Sequence, residues 1–155
     1  MDSFAKYYLL SEISSNPDAQ RSSFYIVKDG AADVLHAGPA WDYDRAFGNY
    51  YNEYYTDPYY GSIDNDQRVQ EENGTKILSD MMKIPEFRDI VDNIWRQSFK
   101  ASVQAEYNNI EAMNGMISKS LAADHSKWGL SSDLSLVKSF ITKRIEYLDI
   151  LLGQN

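Results

Sequence analysis

From Pro85 onward the apolar residues fall at intervals of three and four: Phe87, Ile90, Val91, Ile94, Trp95, Phe99 and Val103, resuming through Tyr107, Ile110, Met113, Ile117 and Leu121. This spacing follows the helical repeat and not the two-residue alternation of a strand, so it places one apolar stripe along a helix face. Pro85 suits the first helical position, where a missing N–H leaves no bond unmade. Trp128-Gly129 then punctuates the chain, and the Ser131-Ser132-Asp133 cluster offers N-cap oxygens. A final helix is expected over about 133–152, with Leu136, Val137, Phe140, Ile141, Ile145, Leu148 and Leu152 on one face and Lys138, Lys143 and Arg144 largely off it. A shorter helix is expected at 76–83. Met81, Met82, Met113 and Met116 lie on these segments and read as flexible core filling. Residues 76–155 thus read as a helical bundle.

The first half has another texture. Phe4, Tyr7, Tyr8 and Ile13, with Leu9 and Leu10 widening the stripe, predict a buried-face helix over 3–15 that Ser14-Ser15-Asn16-Pro17 ends. The aromatic and β-branched run 23–27, the Asp29-Gly30 turn signal and the run 34–37 predict a hairpin, closed by Gly38-Pro39. A tyrosine-rich segment to Tyr60 follows, read as irregular cover, and then a polar, acidic connection over 61–74. At 155 residues the expectation is one unit, with 1–60 bearing site loops and 76–155 serving as scaffold. The fold class is α+β and predominantly α-helical, a small β-hairpin packed on a helical bundle.

Charge and composition exclude several functions. Fifteen Lys and Arg against 23 Asp and Glu give a net charge of −8, which repels phosphate backbones and disfavours nucleic-acid binding. With no cysteine there is no disulfide framework, no thiolate metal site and no cysteine nucleophile. No apolar run approaches the roughly 20 residues of a membrane span. The opening Met-Asp-Ser-Phe-Ala-Lys lacks the basic and apolar regions of a leader, and the expectation is that the chain is a piece of something longer. His36 and His125 stand alone in unlike contexts and lack metal-ligand spacing. Asn73-Gly74-Thr75 fits a glycosylation pattern that often arises by chance, and Asp64-Asn65-Asp66 begins like a calcium loop whose later positions are out of register.

The chemistry-bearing segment is Trp41-Asp42-Tyr43-Asp44, directly after the second strand. Asp42 and Asp44, two residues apart, point to one side of an extended chain, and Mg²⁺ is commonly held by one or two carboxylates together with substrate phosphates. The plainer alternative is that one of them caps a helix beginning near Arg45. The order of parts adds meaning: Asp18 in a loop after a helix, then a hairpin, then Asp-Tyr-Asp at its exit. Protein kinases use a catalytic-loop Asp to accept the substrate hydroxyl proton, an Asn five residues on to help bind metal, and a later Asp to hold Mg²⁺. Here the position five residues after Asp18 is Ser23, a poorer metal ligand than an amide carbonyl. Asp18 also reads simply as a turn residue after Asn16-Pro17. The tyrosines of 50–60 offer either a binding platform or packing cover.

Tyr8-Leu9-Leu10-Ser11-Glu12-Ile13, Asn16-Pro17-Asp18, Ser23-Phe24-Tyr25-Ile26-Val27-Lys28-Asp29-Gly30, Gly38-Pro39-Ala40-Trp41-Asp42-Tyr43-Asp44 and Phe47-Gly48-Asn49 together resemble the CotH family of spore coat protein H kinases. The resemblance continues more loosely through Phe87, Trp95, Trp128 and Arg144-Ile145 to Asp149, covering nearly the whole chain. It implies the C-terminal portion of an atypical protein-kinase-like fold that uses ATP with Mg or Mn to phosphorylate Ser and Thr hydroxyls of proteins, with an extracytoplasmic, cell-surface or spore-coat setting. Asp18 matches the catalytic base and Asp42 the metal-binding aspartate. Asp44 is placed to share the metal, and Ser23 and Asp42 fall on the nucleotide side. The strands and basic residues that hold ATP in such a family do not match here, since Lys6 and Lys28 read as surface charges, so the chain alone is expected to be inactive. A surface left uncovered would be apolar and promote dimerisation. The rival reading is a non-catalytic surface or spore-coat binding module with a degenerate kinase-like site.

Overall fold

The computed structural model describes residues 1–19, 21–49, 56–59, 76–129 and 133–153. Helix α1 (Asp2–Ser14) leads to a two-stranded hairpin, β1 (Ile26–Val27) and β2 (His36–Ala37). Helices α2 (Ile77–Met81) and α3 (Pro85–Ile94) follow. A π-helical turn (Trp95–Phe99) joins α3 to α4 (Lys100–Met116), after which come α5 (Ser118–Trp128) and α6 (Leu134–Leu152). The protein is mostly helical with one small antiparallel hairpin, as the spacing predicts.

Helix α1 is the axis of the molecule. Phe4, Ala5, Tyr7, Tyr8, Leu9 and Ile13 are buried on it, and so are Ser11, Glu12 and Ser14. A helix buried around most of its circumference must lie inside the fold and not on its surface. It packs against α3, the π turn, α6 and β2. Phe87, Val91 and Trp95 close on it from one side, Leu148 and Leu152 from another, and Leu78 and Met82 complete the cluster. The Trp95 indole N–H donates to Asp149 at 3.0 Å, and Arg96 donates to the Leu152 carbonyl at 2.8 Å. These bonds tie the π turn to the end of α6.

Pro85 opens α3 as expected, and Asp133 caps α6 by accepting the Ser135 N–H at 2.8 Å. Ser131 and Ser132 lie outside the described residues. The hairpin is shorter than the runs 23–27 and 34–37 suggest: only Ile26 pairs with Ala37 and Val27 with His36. The loop between them is organised by Asp33, whose carboxylate accepts the N–H groups of Val34 at 2.8 Å and Asp29 at 3.4 Å. The Val34 bond is the main reason its carboxyl sits below the usual range. Phe24 stacks edge-on against Tyr7 at 5.1 Å, and the Ala37 N–H donates to Ser3, so the hairpin is held at its base.

Three expectations are corrected. The apolar pattern does not run as one helix to Leu121: α4 ends at Met116, Ile117 leaves helical geometry, and neither α4 nor α5 has a fully buried residue. Helix α4 rises away from α1, and its face lines an apolar groove of about 450 Å³ with Leu10, Phe47, Val137 and Ile141. Met113 and Met116 are consequently exposed, the latter 78%, whereas Met82 is buried as core filling. Arg144 does not project to solvent. Its side chain is 0% exposed against an equally buried Glu12, at 2.8 Å.

Candidate functional site

The loop carrying Asp18 is built on the C-terminus of α1. Ser15 turns into the left-handed region (φ 47°) and its N–H caps Glu12. The Asn16 side-chain oxygen accepts the Asp18 N–H at 3.1 Å, an Asx turn of the kind short polar side chains favour. The Asp18 carbonyl then accepts the N–H groups of Arg21 and Ser23, each at 3.1 Å. From beneath, the Tyr7 hydroxyl is shared between the carbonyls of Ser23 at 2.9 Å and Ala19 at 3.2 Å. Burial, then the neighbouring Tyr43, pushes the Tyr7 phenol well above its ordinary value, which keeps it a donor. Asp18 is therefore a turn residue in its main chain, while its side chain is largely covered, 16% exposed, with Oδ2 3.8 Å from Arg45 Nη1.

The second half of the site arrives through Gly38-Pro39, a cis peptide. Asp42 (φ 61°), Phe47 (φ 56°) and Gly48 (φ 79°) all take left-handed backbone, winding the chain into a compact loop. Its ends are fixed: the Phe47 N–H donates to the Ser14 carbonyl at 2.7 Å, and the Ala46 N–H to the Tyr43 carbonyl at 3.1 Å. Among the described residues no helix begins over 43–49, so neither Asp42 nor Asp44 caps a helix starting at Arg45. Instead, Asp44 lies against Asp42 and raises its carboxyl above the usual range, through hydrogen bonding first and charge second, while Asp18 adds repulsion and Arg45 offsets it. Tyr43, between the two aspartates, turns the other way. Its hydroxyl is buried and makes no hydrogen bond among the described residues, and burial raises the phenol above its ordinary value.

The structure thus brings Asp42 and Asp44 side by side, with Asp18 near enough for its charge to act on Asp42. Ser23 is buried behind Asp18, and both of its main-chain groups are engaged in the loop. Two residues escaped the sequence reading, Arg45 and Tyr43. Both adjoin the aspartates in the chain, but only the loop's winding shows that one turns to Asp18 and the other to α1. Beside Asp44 a cleft of about 770 Å³ opens between the 43–49 loop, Thr56 and Pro58, and the first turns of α6 with Lys143. Pro58 is held there by Arg144, which donates to its carbonyl at 3.0 Å. Tyr59 reaches Glu146, and the tyrosines at 50–55 and 60 lie outside the described residues, as do Asp64, Asp66 and Asn73.

Among the described residues no three His, Asp or Glu side chains gather closely enough to hold an ion alone. The Asp42–Asp44 pair nonetheless suits a hard divalent ion: two carboxylates forced together, all-oxygen donors, and an open side for phosphate and water. Among the described residues no helix is long and apolar enough to cross a membrane. No curated protein and no solved structure matches the chain. The family model described as CotH kinase protein matches residues 1–148. With the loop order and the paired aspartates in place, the chain belongs to the CotH kinase protein family.

Proposed function

We propose that this chain supplies the catalytic and metal-holding face of a protein kinase that transfers the ATP γ-phosphate to Ser or Thr hydroxyls of a protein. The observation that carries the reading is the approach of Asp18 to Asp42 and Asp44, close enough for its charge to act on Asp42, from loops on opposite sides of the hairpin. Asp42 and Asp44 are the residues that would hold Mg²⁺ or Mn²⁺, which when bound neutralises charge on the phosphate oxygens. Asp18 accepts the proton of the attacking hydroxyl as its oxygen bonds to phosphorus and the bond to the ADP oxygen breaks. Arg45, 3.8 Å from Asp18, orients that carboxylate and offsets the negative field. The cleft beside Asp44 has room for the polypeptide carrying the acceptor. Ser23 stands where kinases place a metal-binding Asn, and its burial leaves the ion to the two aspartates and the phosphates.

The test is phosphate transfer from radiolabelled ATP to a Ser-rich acceptor by the protein that carries this chain, with Asp18→Asn alongside. A positioned general base contributes about 10²–10⁴-fold, so transfer should fall by at least about a hundredfold while Mg–ATP binding persists. Unchanged transfer in Asp18→Asn would contradict the role. Absence of transfer in the unaltered protein, with a retained interaction with coat or surface proteins, would favour the binding-module reading.

A further inference from the structure

We propose that Arg144 is a positioning residue for the acceptor polypeptide: its guanidinium ties the Pro58 wall of the cleft beside Asp44 to the end of α1 from which the Asp18 loop departs. The inference rests on the reading of that cleft as the acceptor's seat. Arg144 is fully buried and divides its donors between two residues far apart in the chain. Nε donates to the Glu12 carbonyl at 2.5 Å and Nη2 to Glu12 Oε2 at 2.8 Å, while Nη1 donates to the Pro58 carbonyl at 3.0 Å. The Glu12 carbonyl also accepts the Ser15 N–H at 3.1 Å, so the guanidinium lies at the turn where α1 ends and the Asp18 loop starts. Its own helix lines the cleft through Phe140 and Lys143, and Pro58 lines it too. The 43–49 loop joins the same end of α1 through the Phe47 N–H bond to the Ser14 carbonyl. All three borders of the cleft are thereby fixed to the last turn of α1. A buried ion pair is a poor way to add stability, because apolar side chains of similar volume often serve as well or better. What it adds is direction, since a planar fork holds its acceptors at set angles as an ammonium does not. The Asp18 loop has further bonds of its own, from Tyr7 and to Asn16, whereas the second tie of this wall to α6, Tyr59 to Glu146 at 3.3 Å, is exposed. Loss of the fork is therefore felt first at Pro58.

The experiment is steady-state transfer from ATP to a synthetic Ser-rich peptide by the protein that carries this chain. It is compared with Arg144→Lys and with the double variant Arg144→Met, Glu12→Leu, and the melting temperature of each is measured. Lysine keeps a charge on Glu12, but its single nitrogen does not also hold both carbonyls in the geometry of the fork. The double variant removes both charges, so no buried ion is stranded and the fold is retained. The KM for the peptide should rise by about tenfold or more in both variants, the effect of losing a hydrogen bond to a charged group. The KM for ATP, and kcat at saturating peptide, should stay within about twofold, because binding of the acceptor is lost and not the geometry of the reacting atoms. An unchanged peptide KM in both variants would overturn the positioning role and leave Arg144 as core packing. So would a double variant whose peptide KM returns to the unaltered value together with its melting temperature. A fall in kcat with both KM values raised would mean a general loosening of the site, and would equally overturn it. No transfer by the unaltered protein would overturn the kinase reading itself, and this inference with it.

Discussion

Asp42 carries its charge beside Asp44 and in the field of Asp18, so the site's stability depends on whether that charge is present. Its folded-state pKa is raised, and the folded protein holds this proton more tightly than the unfolded chain does. The resulting stabilisation is complete below the ordinary carboxylate pKa and is lost as pH rises through the raised value. At neutral pH the repulsion remains. Asp42→Asn is therefore expected to raise the melting temperature near pH 7, by an increment that shrinks as pH falls below the carboxylate range, as read by calorimetry across pH. A lower melting temperature at pH 7 would show that Asp42 is held by attraction instead. Arg144 follows the opposite logic. Its guanidinium is fully buried on Glu12, donates to the Glu12 and Pro58 carbonyls, and lies 4.7 Å over the Tyr147 ring. Removing one partner of such a pair strands a buried charge, so Arg144→Met should cost about 3–5 kcal/mol in urea unfolding, and the double variant with Glu12→Leu less than the two singles summed. The sequence did not reveal this pair because its members are 132 residues apart. A single Arg at the margin of an apolar stripe reads as solvent-facing unless its partner is known.

Among the elements, those with strong spacing were legible and those that depend on a distant partner were not. Pro85 opening α3, Asp133 capping α6 and the polar stop after α1 follow from local chemistry alone. The hairpin narrowed to two pairs because the Asp33 carboxylate, and not a tight Asp29-Gly30 turn, organises the loop. Helix α4 kept the period the sequence predicts but not the burial, since its apolar face borders a groove and not the core. The 42–48 loop was legible as a motif and not as a shape, because three left-handed residues in seven positions leave no periodic trace. Gly48 is where that shape is most demanding. It has φ 79°, and a Cβ there would lie 3.0 Å from the Phe140 ring. Gly48→Ala should destabilise the protein by about 1–2 kcal/mol from backbone strain alone, and chemical denaturation checks it. At α6, the Ser135 bonds hold the Asp133 carboxyl below its usual range, so its contribution is present at neutral pH and lost as pH falls through the lowered value. Asp133→Ala should lower the melting temperature at pH 7 and leave it unchanged near pH 2.

Over the whole molecule, a dense helical core around α1 carries the site on one flank and an apolar hairpin projecting beside it. Ile26, Val27, Val34, Leu35 and Trp41 are exposed there, Trp41 by 58%. Clustered apolar side chains at a surface favour association. The chain should form dimers at high concentration in sedimentation equilibrium, and Leu35→Ser with Trp41→Ser should return it to monomer. Equal association in that variant would place the contact elsewhere. The family was legible because its motifs are local runs of sequence. The loop geometry was only half so: order and spacing singled out Asp18, Asp42 and Asp44 as candidates, while the approach of Arg45 to Asp18 shows only once the two loops meet. The central claim is that those two loops form a divalent-ion site of kinase type. Calorimetric titration of Mg²⁺ and Mn²⁺, with and without ATP, into this chain and its Asp42→Asn variant tests it most directly. The account expects saturable binding that the variant loses; equal binding by both proteins, or none by either, would contradict it.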